Sequence, residues 1–157
     1  MIAVSRRGGD AVAALDVCDK DEVAVSARGC AGAFLCTGKV SRDPADAEQL
    51  HRHNVVATRN ALAGLRQAGV RRVVVASTSG TIAVSSDASQ IADEESSAPM
   101  DLIARWPYYR SKLYGEREAL GANAPEFEVV IVNPSLLLGP GDLQGSSTID
   151  VQRFLER

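Results

Sequence analysis

Two side chains in the stretch "PYYRSKLYGE", residues 107–116, are of the types and at the spacing that could do acid/base chemistry. Tyr108 stands four residues before Lys112, behind Pro107 at a first-turn position, so on a helix the two lie on one face. A lysine ammonium close to a phenol stabilises the phenolate and lowers its pKa from about 10. That makes the tyrosine a workable proton donor and acceptor near neutral pH. One Tyr-x-x-x-Lys occurs by chance in many helices, so the pair needs partners. "VVVASTSGT", residues 73–81, supplies them by delivering Ser77, Thr78 and Ser79 to the end of a β-branched run. A hydroxyl held there can hydrogen-bond the substrate oxygen whose charge changes. Together these groups suit hydride exchange at a carbonyl or alcohol carbon, with a nicotinamide as hydride partner.

Such groups must be positioned by regular elements, and short apolar runs alternate with longer periodic ones along the chain. Residues 2–5, 14–17, 33–36, 72–76 and 129–132 read as strands. Arg72–Ala76 is the clearest, a continuous β-branched run of the kind buried on both faces of a sheet. Residues 20–28 are short and charged, with an ambiguous helical pattern. Residues 45–68 carry Leu50, Val55, Leu62 and Leu65 at helical spacings and end before Gly69. Residues 107–120 form a second long helix, stopping at Gly121, and residues 85–105 read as a polar surface loop. Strands alternating with helices predict an α/β, Rossmann-like, doubly wound parallel sheet in one partial nucleotide-binding domain over residues 1–157. In such sheets ligands meet the carboxyl ends of the strands. Those ends are Arg6-Arg7, Asp16-Val17, Thr37-Gly38, Ser77-Thr78-Ser79 and Asn133-Pro134-Ser135.

Composition narrows the classes. A net charge of −3 without a basic run argues against nucleic acid, and no apolar run approaches the roughly 20 residues a membrane helix needs. The opening "MIAVSRRGGD" has no apolar core of a signal peptide. Cys18, Cys30 and Cys36 are odd in number and lack a C-x-x-C spacing, so reduced thiols in a cytoplasmic protein are expected. His51 and His53, two apart, point in different directions on a helix and make a poor metal pair.

The ordered set "LDVCDKDEV", "GCAGAFLCTGKVS", "HNVVATRNAL", "GVRRVVVASTSGT", "YYRSKLYGE" and "VNPSLLLGPGD" resembles the extended short-chain dehydrogenase/reductases, the NAD(P)-dependent epimerase/dehydratase superfamily, and its dihydroflavonol-reductase-like members in particular. The resemblance implies catalytic roles for Tyr108 and Lys112, and for Thr78 as the catalytic hydroxyl, with Ser79 in that role if the register is one residue off. It implies that Asp16, with Val17 beside it, contacts the adenine. Cys36, Thr37 and Gly38 then run along the cofactor, Asn54 helps hold the active-site region, and Pro134 through Leu137, including Ser135, lie beside the nicotinamide. Arg6 falls where NADP-preferring members place a basic residue against the 2′-phosphate, with Arg7 able to share that role, so NADP is expected over NAD. Residues 45–68 and 107–120 match the helix pair that builds a homodimer in this superfamily.

The chain departs from that pattern at both ends. The family opens with a strand, a G-x-x-G-x-x-G turn and a helix; Gly8-Gly9 does not supply that turn, and "MIAVSRR" matches the family's second strand. After "GPGDLQGSSTIDVQRFLER" the family continues into a substrate lobe. The expectation is therefore a core portion of a longer enzyme, with unpaired backbone where the first strand would lie, marginal stability and weak NADP(H) affinity. Three activities stay open: an NADP-dependent reductase of a small carbonyl or alcohol, a nucleotide-sugar epimerase or dehydratase, and a non-catalytic or degenerate nucleotide-binding fragment.

Overall fold

The computed structural model describes residues 2–5, 7, 12–139 and 148–156. Strand β1 (Ala3–Ser5) pairs in parallel with β2 (Val12–Ala14). Helix α1 (Lys20–Ser26) follows, and then β3 (Gly32–Leu35). Next comes a helical stretch of four parts: a 3₁₀ turn (Pro44–Asp46), α2 (Ala47–His51), a π-helical turn (Arg52–Val56) and α3 (Ala57–Gln67). Strand β4 (Arg72–Ala76) leads through a short 3₁₀ turn (Ser79–Thr81) to α4 (Met100–Ile103) and α5 (Pro107–Ala122). Strand β5 (Glu128–Val132) and α6 (Thr148–Leu155) complete the described elements.

Local sequence accounts for several boundaries. Asp19 caps α1 by accepting from the amides of Asp21 and Glu22, and both acids sit in the first turn, where the helix dipole favours them. Gly69 takes φ +82°, the left-handed conformation that ends α3 as its position suggests. Pro107 occupies the first turn of α5, where its missing N–H costs nothing.

The strands form two parallel sheets, β1-β2 and β3-β4-β5, and among the described residues no ladder joins them. Among the described strands, β1 pairs with β2 alone and β3 with β4 alone. The packed face of the larger sheet carries Leu35, Val73, Val75 and Val129. These meet Ala61, Leu62 and Leu65 of α3, Ala119 of α5, and the fully buried Phe127. Leu15 and Val23 bring the smaller sheet and α1 into the same core. Gly64 lets α1 press onto α3, since a Cβ there would stand 2.4 Å from the Lys20 carbonyl oxygen.

Several boundaries differ from the sequence reading. The second strand lies at Val12–Ala14 rather than 14–17, which puts Asp16 and Val17 in the turn beyond it. The loop 85–105 contains α4, and α5 runs through Gly121 to Ala122. Burial of β4 on both faces is not found. Val73 and Val75 are covered, but the alternate face shows Phe34, Val130 and Val132 at 79%, 39% and 43% exposure, because no described helix packs there. No described helix is long and apolar enough to cross a membrane.

Candidate active site

The amino end of α5 is docked on the end of β4 by two contacts that bracket Thr78. Lys112 Nζ donates to the Ala76 carbonyl at 2.7 Å, two residues before Thr78. The Tyr109 ring lies over Gly80, two residues after it, where an added Cβ would stand 2.0 Å from Tyr109 Cε1. Trp106 stacks on Tyr109 with ring centroids 5.3 Å apart, fixing that ring from the solvent side. Thr78 is buried and caps the turn that follows, its hydroxyl accepting from the Gly80 amide at 3.3 Å. Ser79 is half-buried, and its amide donates to the Pro134 carbonyl at 3.0 Å, tying the ends of β4 and β5 together.

The electrostatics correct one expectation. Burial, and then the neighbouring Tyr109, push the half-buried Tyr108 phenol above its ordinary range. Lys112, which was expected to lower it, instead directs its nitrogen at the Ala76 carbonyl. Burial holds the Lys112 ammonium below the usual lysine range, opposed by the charges of Glu116 and Cys36. In this state the pair consists of a firmly protonated phenol and a lysine that gives up its proton more readily than a free one.

Asn54 ties the turn after β3 to α5. Its Oδ1 accepts from the Lys39 amide at 2.7 Å. Its Nδ2 donates to the Lys39 carbonyl and to Ser111 Oγ, both at 2.9 Å. Ser111 in turn donates to the Tyr108 carbonyl at 2.7 Å. The buried Asn54 sits inside the π-helical turn, a form of helix that recurs at functional sites. Gly115 allows the close approach, since a Cβ there would stand 2.3 Å from the Asn54 carbonyl oxygen. The same knot brings Gly38 next to Lys112: a Cβ on Gly38 would lie 2.9 Å from Asn54 Oδ1 and 3.9 Å from Lys112 Nζ. Beside it the Thr37 hydroxyl is buried without a hydrogen-bond partner, while Cys36 is exposed. An orphaned buried hydroxyl within a turn bordering Lys112 suits a polar ligand passing along that turn, so these residues fit a dinucleotide.

The other candidates lie apart or outside. Asp16 is exposed, its carboxylate accepting from the Cys18 amide at 2.9 Å, and Val17 packs against the core. Both belong to the smaller sheet's end. Pro134 is held by Ser79, whereas Ser135 and Leu137 beyond it are exposed. Arg6, Gly8 and Gly9 lie outside the described residues; Arg7 is exposed. The cysteines are free thiols, and among the described residues no group of three His, Cys, Asp or Glu is arranged for a metal.

Sequence reasoning overlooked Glu116 and the side chain of Asn133. The buried Glu116 carboxylate accepts from Ser77 Oγ, from Thr81 Oγ1 at 2.8 Å and from Asn133 Nδ2 at 2.8 Å. Asn133 Nδ2 also reaches the Thr78 carbonyl at 3.1 Å. The available signal was the spacing: Tyr108, Lys112 and Glu116 follow one another at steps of four.

Comparison with known proteins places the chain in a family. The model of the NAD dependent epimerase/dehydratase family matches residues 2–157. A putative dihydroflavonol 4-reductase from Synechocystis sp. (strain ATCC 27184 / PCC 6803 / Kazusa) is 39% identical over 131 residues, covering 83% of this chain and 38% of that protein. The crystal structure of gox2253 superposes with a TM-score of 0.75 at 27% identity, over 89% of this chain and 42% of that one. The structure of MoeE5 in complex with UDP-glucose and NAD gives 0.68 at 26% identity, over 89% and 47%. The chain thus spans well under two thirds of the length of these relatives. With parallel strands, a docked Tyr-x-x-x-Lys helix and a family match along nearly its whole length, the chain belongs to the NAD dependent epimerase/dehydratase family, whose members are NAD(P)-dependent oxidoreductases, epimerases and dehydratases.

Proposed function

We propose that this chain carries the catalytic half of an NADP-dependent reductase that converts a carbonyl of a small organic molecule to an alcohol. The observation that carries the reading is the bracketing of Thr78, with Lys112 anchored on Ala76 and Tyr109 seated on Gly80. This joins the helix that carries Tyr108 and Lys112 to the strand end that carries Thr78, which supports the reading. A bound nicotinamide supplies the hydride. Tyr108 gives its proton to the carbonyl oxygen, Thr78 orients that oxygen, and Lys112 bonds the cofactor's ribose and offsets the phenolate left behind. The raised phenol pKa keeps Tyr108 protonated through neutral pH, the state a proton donor needs. Asn54 holds the Cys36–Gly38 turn against this centre, and the Thr37 hydroxyl meets the cofactor there. Arg6, with Arg7, reads the 2′-phosphate. Asp16 and Val17 meet the adenine, and Pro134, Ser135 and Leu137 border the nicotinamide. The 39% identity to a putative dihydroflavonol 4-reductase favours reduction over sugar epimerisation or dehydration.

The test is a fluorescence titration with NADPH and NADH in parallel, followed by carbonyl reduction by the Tyr108→Phe variant. Saturable binding that favours NADPH, and loss of turnover with retained binding in the variant, are expected. Binding of neither nucleotide, or turnover surviving Tyr108→Phe, would sink the reading. Helices α3 and α5, joined across their outer face by the Arg59–Glu118 ion pair, are proposed to form a homodimer contact, which light scattering would detect.

A further inference from the structure

Glu116 is a buried carboxylate that accepts hydrogen bonds from the uncharged side chains of Ser77, Thr81 and Asn133. Its side chain enters from α5, one turn beyond Lys112, and meets a strand end from each of two neighbours. Ser77 and Thr81 reach it from the end of β4, and Asn133 from the end of β5. All three donors converge on one oxygen, Oε1. The cluster extends to Thr78 by two routes. The Asn133 amide donates to its carbonyl at 3.1 Å, and the Thr81 hydroxyl lies 2.8 Å from the same carbonyl. Ionised carboxylates accept without donating, so neutral donors alone satisfy this one's hydrogen bonding but leave its charge uncompensated. A charge in such surroundings is retained at a cost unless a cation lies within reach.

We propose that Glu116 is a positioning residue for the Thr78–Tyr108–Lys112 centre: its hydrogen bonds fix the end of β4 that carries Thr78, and its negative charge offsets the positive charge of Lys112 one helical turn earlier. The proposal rests on the reductase reading only for its catalytic consequence; the coupling itself is a property of the fold. The groups facing Lys112 are few. Glu116 comes from its own helix, the Ala76 carbonyl from β4, and Cys36 and Gly38 from the turn after β3. Of these, Glu116 exerts the largest opposing influence on the lowering that burial imposes on the lysine. A glutamine at 116 keeps the shape and one carbonyl acceptor but removes the charge. That separates the electrostatic role from simple packing.

The test follows Lys112 by ¹³Cε NMR through a pH titration of the full chain. The sequence has three lysines, Lys20, Lys39 and Lys112, and Lys112→Met assigns the signal. In Glu116→Gln the Lys112 midpoint moves to lower pH while those of Lys20 and Lys39 stay in place. An unmoved Lys112 midpoint in a folded variant overturns the proposal. Where Glu116→Gln fails to fold, the double variant Glu116→Gln/Lys112→Met decides. Recovery of a cooperative melt ties the loss to the uncompensated ammonium, and no recovery overturns the proposal. None of these readouts depends on nucleotide binding. Failure of NADPH to bind would count against the reductase and leave the Glu116–Lys112 coupling standing.

Discussion

Strand β4 is paired on both sides, over four residues with β3 and five with β5, and its end is tied down by Lys112, Asn133 and the Glu116 cluster. Strands β1 and β2 pair over three residues with each other and with no other described strand. Both regions belong to one family fold, yet only the first is over-determined. The difference teaches where this fold keeps its precision. The proposed acid/base groups stand on the region with redundant restraints, and the adenine-side candidates Asp16 and Val17 stand on the region with few. Chemistry needs its groups held to within a fraction of an ångström, whereas a flat base tolerates a looser bed.

The comparison can be broken by substitutions placed in each half. Phe127 is fully buried beneath α3 and α5, so Phe127→Ala is expected to cost about 3–5 kcal/mol in a urea melt. Val4→Ala, at a half-buried position on β1, is expected to cost under about 1.5 kcal/mol. Equal costs would erase the contrast. Next in size is Gly115→Ala, which forces a Cβ toward the Asn54 carbonyl. It should destabilise by about 1–3 kcal/mol and shift the Asn54 and Ser111 resonances, while the amides of β1 stay unmoved.

A pH series sharpens the same contrast. The folded-state pKa of Lys112 lies below its unfolded value. Burying the ammonium therefore costs stability at all pH values below the folded pKa, and the cost fades as pH rises through it toward the unfolded value. The stability advantage of Lys112→Met should therefore be full below the folded pKa and shrink as pH rises through it toward the unfolded value. Tyr108 works the other way: its pKa is raised, so its contribution is present below the unfolded value near 10 and is lost above it. The smallest effect belongs to the exposed Arg72–Glu128 pair across β4 and β5. Glu128→Gln should change stability by less than about 1 kcal/mol, and less still in high salt.

Legibility in the sequence followed the same division. Arg72–Ala76 was read to the residue, because five consecutive strand formers leave no other period. The second strand was displaced by two residues at its start and three at its end, because a three-residue element holds too little pattern to fix its ends. Helices α4 and α6 went unseen for a related reason: α4 is a single turn, and the apolar side of α6 finds little to bury against, as the exposure of Phe154 and Leu155 shows. At the site, singling out Thr78 from the hydroxyl run 77–79 took the family resemblance, while the candidates Tyr108 and Lys112 were legible from residue type and spacing. The direction of the Tyr108 shift was not, because it depends on where the Lys112 nitrogen points and how deeply the ring is buried. Glu116 was missed because a glutamate in a charged helix reads as solvated until three strand-end donors are seen around it.

The π-helical turn at Arg52–Val56 sets the rotational phase of the helix that follows it. In an uninterrupted α-helix the twelve residues from Leu50 to Leu62 would turn the second side chain about 120° away from the first. A wide turn absorbs one residue and brings that difference back to about 20°, so that both leucines reach the interior, where they are buried. A single deletion between 52 and 56 would return the turn to a plain α-helix, in which eleven steps separate the two leucines and the same phase of about 20° is kept. A single insertion would instead swing α3 by roughly a quarter turn, carrying Leu62 and Leu65 to the exposed places now held by Ala63 and Arg66. This segment is therefore better able to lose a residue than to gain one.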